Sequence, residues 1–294
     1  MLPDYHIHTP FCRHAEGEPA EFLAAARQAN LPEICFTDHA PNPDNYDQQH
    51  RMGMAEFELY RAKIRAVSTD RNNGPASTGL QTRVLFGAEA DYYEGCERFL
   101  REWLPHRPFD LVLGSVHFIN DWGFDNPDER EVWDNVDVAG TWREYFKLIG
   151  RLAETKLFDV VGHLDLPKKF GFLPSEPVLK EMAGPALDKI AGAGMAIEIN
   201  TSGLRKPVRE IYPSLFLLGM ARALDIPVCF GSDAHLPDEV GYEFACAMAW
   251  ARQAGYSEAV RFAGRKQTRY ALPVQHVAAN PFPASGETGC RRAP

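Results

Sequence analysis

Seven short runs rich in β-branched and aromatic residues alternate with longer stretches at helical spacing, and this alternation limits the chain to a parallel-sheet α/β architecture. The runs are Asp4 to Ile7, Glu33 to Thr37, Arg83 to Ala88, Phe109 to Ser115, Phe158 to Gly162, Met195 to Ile199 and Pro227 to Gly231. Helical periodicity predicts Pro19 to Ala29, Met54 to Ser68, Gly95 to Trp103, Gly140 to Thr155, Glu176 to Ala191 and Tyr212 to Leu224 between them. A further pair, Glu239 to Ala254 and Ser257 to Ala263, is read as helical and closes the globular part. The stretch Thr69 to Thr82, rich in Asn, Gly, Ser and Thr, reads as an exposed loop.

A chain of 294 residues with 45% hydrophobic composition suits one large domain, and a single barrel of about 250 residues fits within it. The domain is expected to span residues 1–279, with 280–294 as a disordered tail rich in Pro, Gly and Ser. The net charge of -9 and the lack of any basic run argue against a nucleic-acid or anionic-membrane surface and favour a small-molecule substrate. No apolar stretch approaches the roughly 20 residues of a membrane span, and charged residues arrive too early for a signal peptide, so a cytoplasmic protein is expected. The six cysteines are scattered without a CxxC pair, which suits reduced thiols.

Most of the ten histidines stand where these strands are expected to end. The first strand closes in His6-Ile7-His8, and two-residue alternation sends both imidazoles to one side. The next strands lead into Thr37-Asp38-His39, Gly87-Ala88-Glu89-Ala90-Asp91, Gly114-Ser115-Val116-His117, Gly162-His163-Leu164-Asp165 and Gly231-Ser232-Asp233-Ala234-His235. His14 follows on the loop after the first strand, within reach of the same mouth, whereas His50, His106 and His276 lack a strand-end context and are read as solvent or packing residues. Any one of these side chains has an ordinary structural reading. In series at the C-terminal face of a parallel sheet, where sites assemble, they need shared partners, and metal ions are the economical ones.

Imidazole and carboxylate donors without thiolate suit Zn, Mn or Fe. Ligands from so many strands exceed what one tetrahedral ion uses, so more than one ion is implied. Clustered divalent ions lower the pKa of bound water and neutralise a phosphoryl group, which makes phosphate-ester hydrolysis the natural chemistry.

In their order, the motifs HIHT, TDH, GAEAD, GSVH, GHLD and GSDAH resemble those of the polymerase and histidinol phosphatase (PHP) superfamily over roughly residues 3 to 275. Within it, HTPFCRHAEG, GHLDLPKKFG and INTSGLRKP are similar to segments of the monofunctional bacterial histidinol-phosphate phosphatases. The resemblance implies a single-domain distorted (β/α)7 TIM-like barrel and three divalent ions. His6, His8, Glu89 and Asp233 would hold the first; Glu89 would bridge to a second on His117 and His163; His14, His39 and His235 would hold the third. It also implies hydrolysis of L-histidinol phosphate, a small phosphate monoester, in histidine biosynthesis.

Around that shell, Asp38 and His235 are the candidate catalytic groups, with Asp38 either orienting a ligand or protonating the leaving alkoxide. Asp91 and Asp165 are read as ligand-orienting or helix-capping. Lys168, Lys169 and Arg205 are candidates for binding phosphate, against a reading as solvated charges, and Phe118, Phe170 or Glu198 for meeting the imidazole and ammonium of the substrate. Three other readings compete: a phosphoesterase acting on nucleotides, an amidohydrolase, and a non-catalytic metal-binding relative. The first wants a basic, aromatic-lined approach, the second a strand-borne Lys, and the third eroded ligands, and none of these features is evident.

Overall fold

A computed structural model describes residues 1–43, 46–69 and 81–273. Much of the 69–82 loop, the 279/280 boundary with its tail, and His276 lie outside the described residues.

The seven expected strands form one parallel sheet: β1 Asp4–Ile7, β2 Glu33–Phe36, β3 Arg83–Asp91, β4 Leu111–Ser115, β7 Val160–Val161, β8 Ala196–Asn200 and β9 Val228–Gly231. A parallel bridge between Ile7 and Ala234, with His8 N–H donating to the Ala234 carbonyl at 2.9 Å, brings β9 back to β1. The result is a nearly closed, distorted barrel. The connecting helices are α1 Pro19–Gln28, α2 Phe57–Thr69, α3 Glu97–Trp103, α4 Val138–Thr155, α5 Glu176–Ala193 and α6 Leu215–Ala223, and α7 Phe244–Gln253 follows β9. Most strands are buried on both faces, which explains their near-continuous apolar runs.

Alternation along each strand divides the barrel vertically. The inward residues Leu85, Gly87, Glu89 and Asp91 of β3 run from the apolar bottom to the polar mouth, as do Ala196, Glu198 and Asn200 of β8. The lower inward set packs together as Tyr5, Cys35, Leu85, Leu111, Leu113, Val160, Ala196 and Cys229. In β1 the alternation breaks: Asp4 pairs with Ile34 but Ile7 with Phe36, three steps against two. This bulge lets Tyr5 serve the apolar floor while His6 and His8 face the mouth.

Two elements depart from the sequence expectation. The segment read as a helix from Ser257 to Ala263 is instead strand β10, Glu258–Ala263, paired antiparallel with β11, Lys266–Ala271. A short apolar run fits either period, and here Val260 and Phe262 are drawn into the barrel floor, Phe262 lying edge-on to Tyr5 at 5.5 Å. The second is an insertion after β4: the hairpin β5 Phe118–Ile119 and β6 Trp122–Gly123, then a 3-10 stretch Pro127–Asn135, which together form one rim of the mouth. Of the cysteines, Cys12, Cys35, Cys96 and Cys229 are free and buried; Cys246 is disulfide-bonded, and Cys290 lies outside the described residues. Among the described residues no helix is long and apolar enough to cross a membrane.

Candidate metal centre

At the C-terminal ends of the strands, five imidazoles converge on Glu89, which is 1% exposed. Its Oε2 faces His6 Nε2 at 3.3 Å, His8 Nε2 at 3.5 Å and His39 Nδ1 at 3.1 Å. Its Oε1 faces His163 Nε2 at 3.0 Å and His117 Nε2 at 3.6 Å. Asp233 Oδ1 joins the first group, 3.2 Å from His8 Nε2 and 3.7 Å from His6 Nε2. His14, His39 and His235 gather beside His8: the ring centroids of His14 and His235 are 4.7 Å apart and those of His14 and His39 5.6 Å.

Several polar atoms in this cluster are buried with no hydrogen-bond partner, among them His6 Nε2, His39 Nδ1 and His235 Nε2. Leaving such atoms unpaired costs free energy, and a cation between them removes the cost. Triads such as His6, His8 and Glu89, or His8, His39 and His235, bring one donor atom each within 4.8 Å of the others. The residues present therefore fit divalent metal ions.

The charges follow the same logic. Burial opposes charge on His6, but the carboxylates of Glu198, Asp233 and Glu89 outweigh it and hold its pKa well above the usual value. Against the same burial, Asp91 and Glu89 raise His117 to about 9. Burial, with the neighbouring His8, lowers His14 to about 4 and His235 well below its ordinary value. The imidazoles of His6, His39 and His117 overcome burial and hold Glu89 well below the carboxylate range. The carboxylates that attract protons here attract metal cations too, and ions displace protons on binding.

Behind the donors, a second layer fixes the rings. His6 Nδ1 lies 2.8 Å from Glu198 Oε1, whose other oxygen accepts the His163 N–H and the Asn200 amide, both at 3.0 Å. Glu198 is fully buried and off the cleft lining, which removes it from the substrate candidates and makes it the group that orients the His6 ring. Asp91 does the same for His117, 2.7 Å from Nδ1, and is anchored by Arg51. Gly231 is required here, because a Cβ would lie 1.9 Å from Glu198 Oε1 and 2.7 Å from His6 Cβ. Asp233 adopts a left-handed φ of 54°, a strained turn that aims its carboxylate back at β1.

The donors open into a cleft of about 500 Å³ lined by the hairpin insertion and the loops after β7 and β8. Of the candidate phosphate residues, Lys169 lines it, with Nζ donating to the Asp125 carbonyl at 2.6 Å. Lys168 is wholly buried, paired with Asp165 at 3.1 Å and Glu210 at 3.0 Å, and does not reach the cleft. Arg205 sits behind Asp233, donating to the carbonyls of Ser232 and Asp233 at 2.9 and 3.0 Å, and also lies off the lining. Asp38 is buried beneath His8, where its carboxylate accepts the Thr9 N–H at 3.0 Å and the His39 N–H at 2.9 Å. Asp165 accepts the Ser214 N–H at 2.8 Å. Phe118 lines the cleft and Phe170 does not. Among the lining residues that the sequence reading missed are Lys206 and His50, the latter hydrogen-bonded to Asp47 at 2.6 Å. Neither follows a strand directly, so strand-end position gave no signal for them.

A nearly closed parallel barrel with a histidine and carboxylate cluster at its C-terminal mouth defines a metal-dependent hydrolase. The chain belongs to the PHP domain family, whose model matches residues 4–202, and a PHP-associated model matches residues 218–244. A Deinococcus radiodurans protein named probable histidinol-phosphatase is 43% identical, across 90% of this chain and 98% of its own length. The histidinol-phosphatase of Bacillus subtilis is 28% identical, across 82% of this chain and 96% of the relative. In fold, the chain matches the crystal structure of Lactococcus lactis histidinol phosphate phosphatase complexed with zinc, L-histidinol and phosphate, with a TM-score of 0.75 at 22% identity, covering 91% of this chain and 98% of that one.

Proposed function

We propose that this protein is a cytoplasmic phosphomonoesterase that converts L-histidinol phosphate and water to L-histidinol and phosphate in histidine biosynthesis. The observation that carries the reading is Glu89 meeting separate sets of imidazoles through its two oxygens, in a chain 43% identical to a relative named probable histidinol-phosphatase. The first set, with Asp233, supports one ion on His6, His8, Glu89 and Asp233. The second supports another on Glu89, His117 and His163, and the imidazoles of His14, His39 and His235 support a third. Divalent ions held there would supply Lewis acidity for the phosphoryl oxygens and a lowered pKa for water.

The protein's own groups do the rest. Glu198 and Asp91 hold the rings of His6 and His117 in a fixed orientation, so that no reorganisation is needed as charge develops. Asp38 acts as a positioning residue for His8 and Thr9, because its buried carboxylate has no face on the cleft. His235 lines the cleft with an Nε2 that has no protein partner, the nitrogen it would offer to the third ion at the side of the leaving oxygen. Lys169 adds positive charge at the mouth. Asp128 and Glu129, which make no ion pair among the described residues, suit the ammonium of the substrate, and Phe118 offers an aromatic face for its imidazole.

A substrate panel tests the reading. Histidinol phosphate, nucleotides and sugar phosphates are assayed for phosphate release, with metal content determined on the same preparation. Selective turnover of histidinol phosphate by metal-loaded protein is expected; equal rates across the panel would overturn the assignment.

A further inference from the structure

Four cationic side chains line or back the cleft, and three of them are already committed. Arg51 pairs with Asp47 at 2.6 Å and with Asp91. Lys169 is tied to the carbonyl and, at 3.0 Å, to the carboxylate of Asp125. Arg205 donates through Nη2 to two backbone carbonyls and pairs through Nε with Glu239 at 2.9 Å.

Lys206 is different. Its backbone N–H closes the 3-10 turn Ser202–Arg205 by donating to the Gly203 carbonyl at 3.2 Å, which fixes the position of its Cα on the loop after β8. The side chain is half-buried and lines the cleft beside Ser202 and Asp233. Asp233 and Asp125 act on the ammonium through space, yet neither comes within ion-pair range, and no other described residue does. Burial and the nearby Lys169 and Arg205 lower its pKa, so the site favours an incoming anion.

A partly desolvated ammonium with all three donors unused is costly unless a ligand supplies the acceptors. The acceptor must enter through the cleft and sit beside Asp233, within the histidine and carboxylate cluster. We infer that Lys206 is a phosphate-binding residue, donating to the non-bridging oxygens of the phosphoryl group when it lies at the cluster. This rests on the phosphomonoesterase reading. It adds a residue outside the strand ends and assigns the direct contact to Lys206 rather than to Lys168, whose ammonium is buried against Asp165 and Glu210, or Arg205, which lies off the cleft lining.

The test is calorimetric titration of metal-loaded protein with inorganic phosphate, comparing wild type, Lys206→Met and Lys206→Arg, with metal content and melting temperature measured on each. Loss of one charge-assisted contact predicts phosphate affinity weakened about tenfold or more in Lys206→Met and largely retained in Lys206→Arg, with metal content unchanged. The KM for histidinol phosphate should rise in parallel, while inhibition by L-histidinol, which lacks the phosphoryl group, should stay as in wild type. Phosphate affinity within twofold of wild type in Lys206→Met would overturn the inference, as would a matching loss of bound metal. Because phosphate binding is read without any organic substrate, a wild type that binds phosphate through Lys206 but ignores histidinol phosphate would sink the functional reading alone.

Discussion

Glu89 illustrates how much one residue can organise when its neighbours come from separate strands. Its position depends on Gly87, two residues earlier on the same inward row, where a Cβ would lie 2.6 Å from the Leu111 carbonyl. Gly231 plays the same part for His6. Gly231→Ala should push Glu198 away from His6 and lower metal affinity by roughly 10–100-fold, the usual effect of losing a ligand-orienting partner; competition with a chromophoric chelator measures it. Asp4 makes a second prediction at this scale. Burial raises its pKa to about 6, against the lowering effect of bonds from Ser232, Gly241 and His6. A carboxyl whose folded pKa exceeds its unfolded value stabilises the fold fully below the unfolded value, and that stability is lost as pH rises through about 6. The loss amounts to about 3 kcal/mol between pH 4 and 6 for the shift from 3.8 to about 6. Denaturant titrations of wild type and Asp4→Asn over that range should differ in slope, the variant lacking this component.

At the scale of elements, the hairpin of β10 and β11 closes the bottom of the barrel. Phe262→Ala should destabilise by about 3–5 kcal/mol, seen as a lower urea midpoint, with the KM of the folded protein unchanged because the floor lies at the far end from the cleft. This hairpin also marks where the sequence stopped being legible. The seven barrel strands were readable because most are buried on both faces and six of them lead into a candidate ligand motif, so period and chemistry agree. In Ser257 to Ala263 they do not: Ala259, Val260 and Phe262 are buried, a spacing that a helix face would also give, and only the pairing with Lys266–Ala271 decides it. The candidate metal donors themselves stood out as a series. The cleft lining did not, because it depends on the insertion after β4 and on loops whose path no periodicity records. Lys168 and Lys169 show the limit: adjacent in sequence, one is buried against Asp165 and Glu210 and the other lines the cleft.

For the whole molecule, cluster and barrel are coupled through closure. The bridge from Ile7 to Ala234 that joins β9 to β1 lies between His6 and His8 on one side and Asp233 and His235 on the other. Ions bound across that seam stabilise the native state and not the unfolded chain. Removing them with a chelator should abolish turnover and lower the stability by about 2.7 kcal/mol if the free metal had stood at 100 times its dissociation constant, seen as a lower melting temperature. Calorimetric scans before and after chelation, with metal restored in a third sample, give the comparison, and an unchanged melting temperature would show that the seam closes without help.

The irregular pairing of β1 bears on where this enzyme tolerates change at its beginning. That strand gains one step on its neighbour between Asp4 and Ile7, and the step is taken up by Tyr5 while the two histidines face inward. Removing Tyr5, the extra residue, would leave Asp4 and Ile7 two steps apart like Ile34 and Phe36, so both imidazoles would still face inward and the loss would fall on the apolar floor that Tyr5 shares with Phe262.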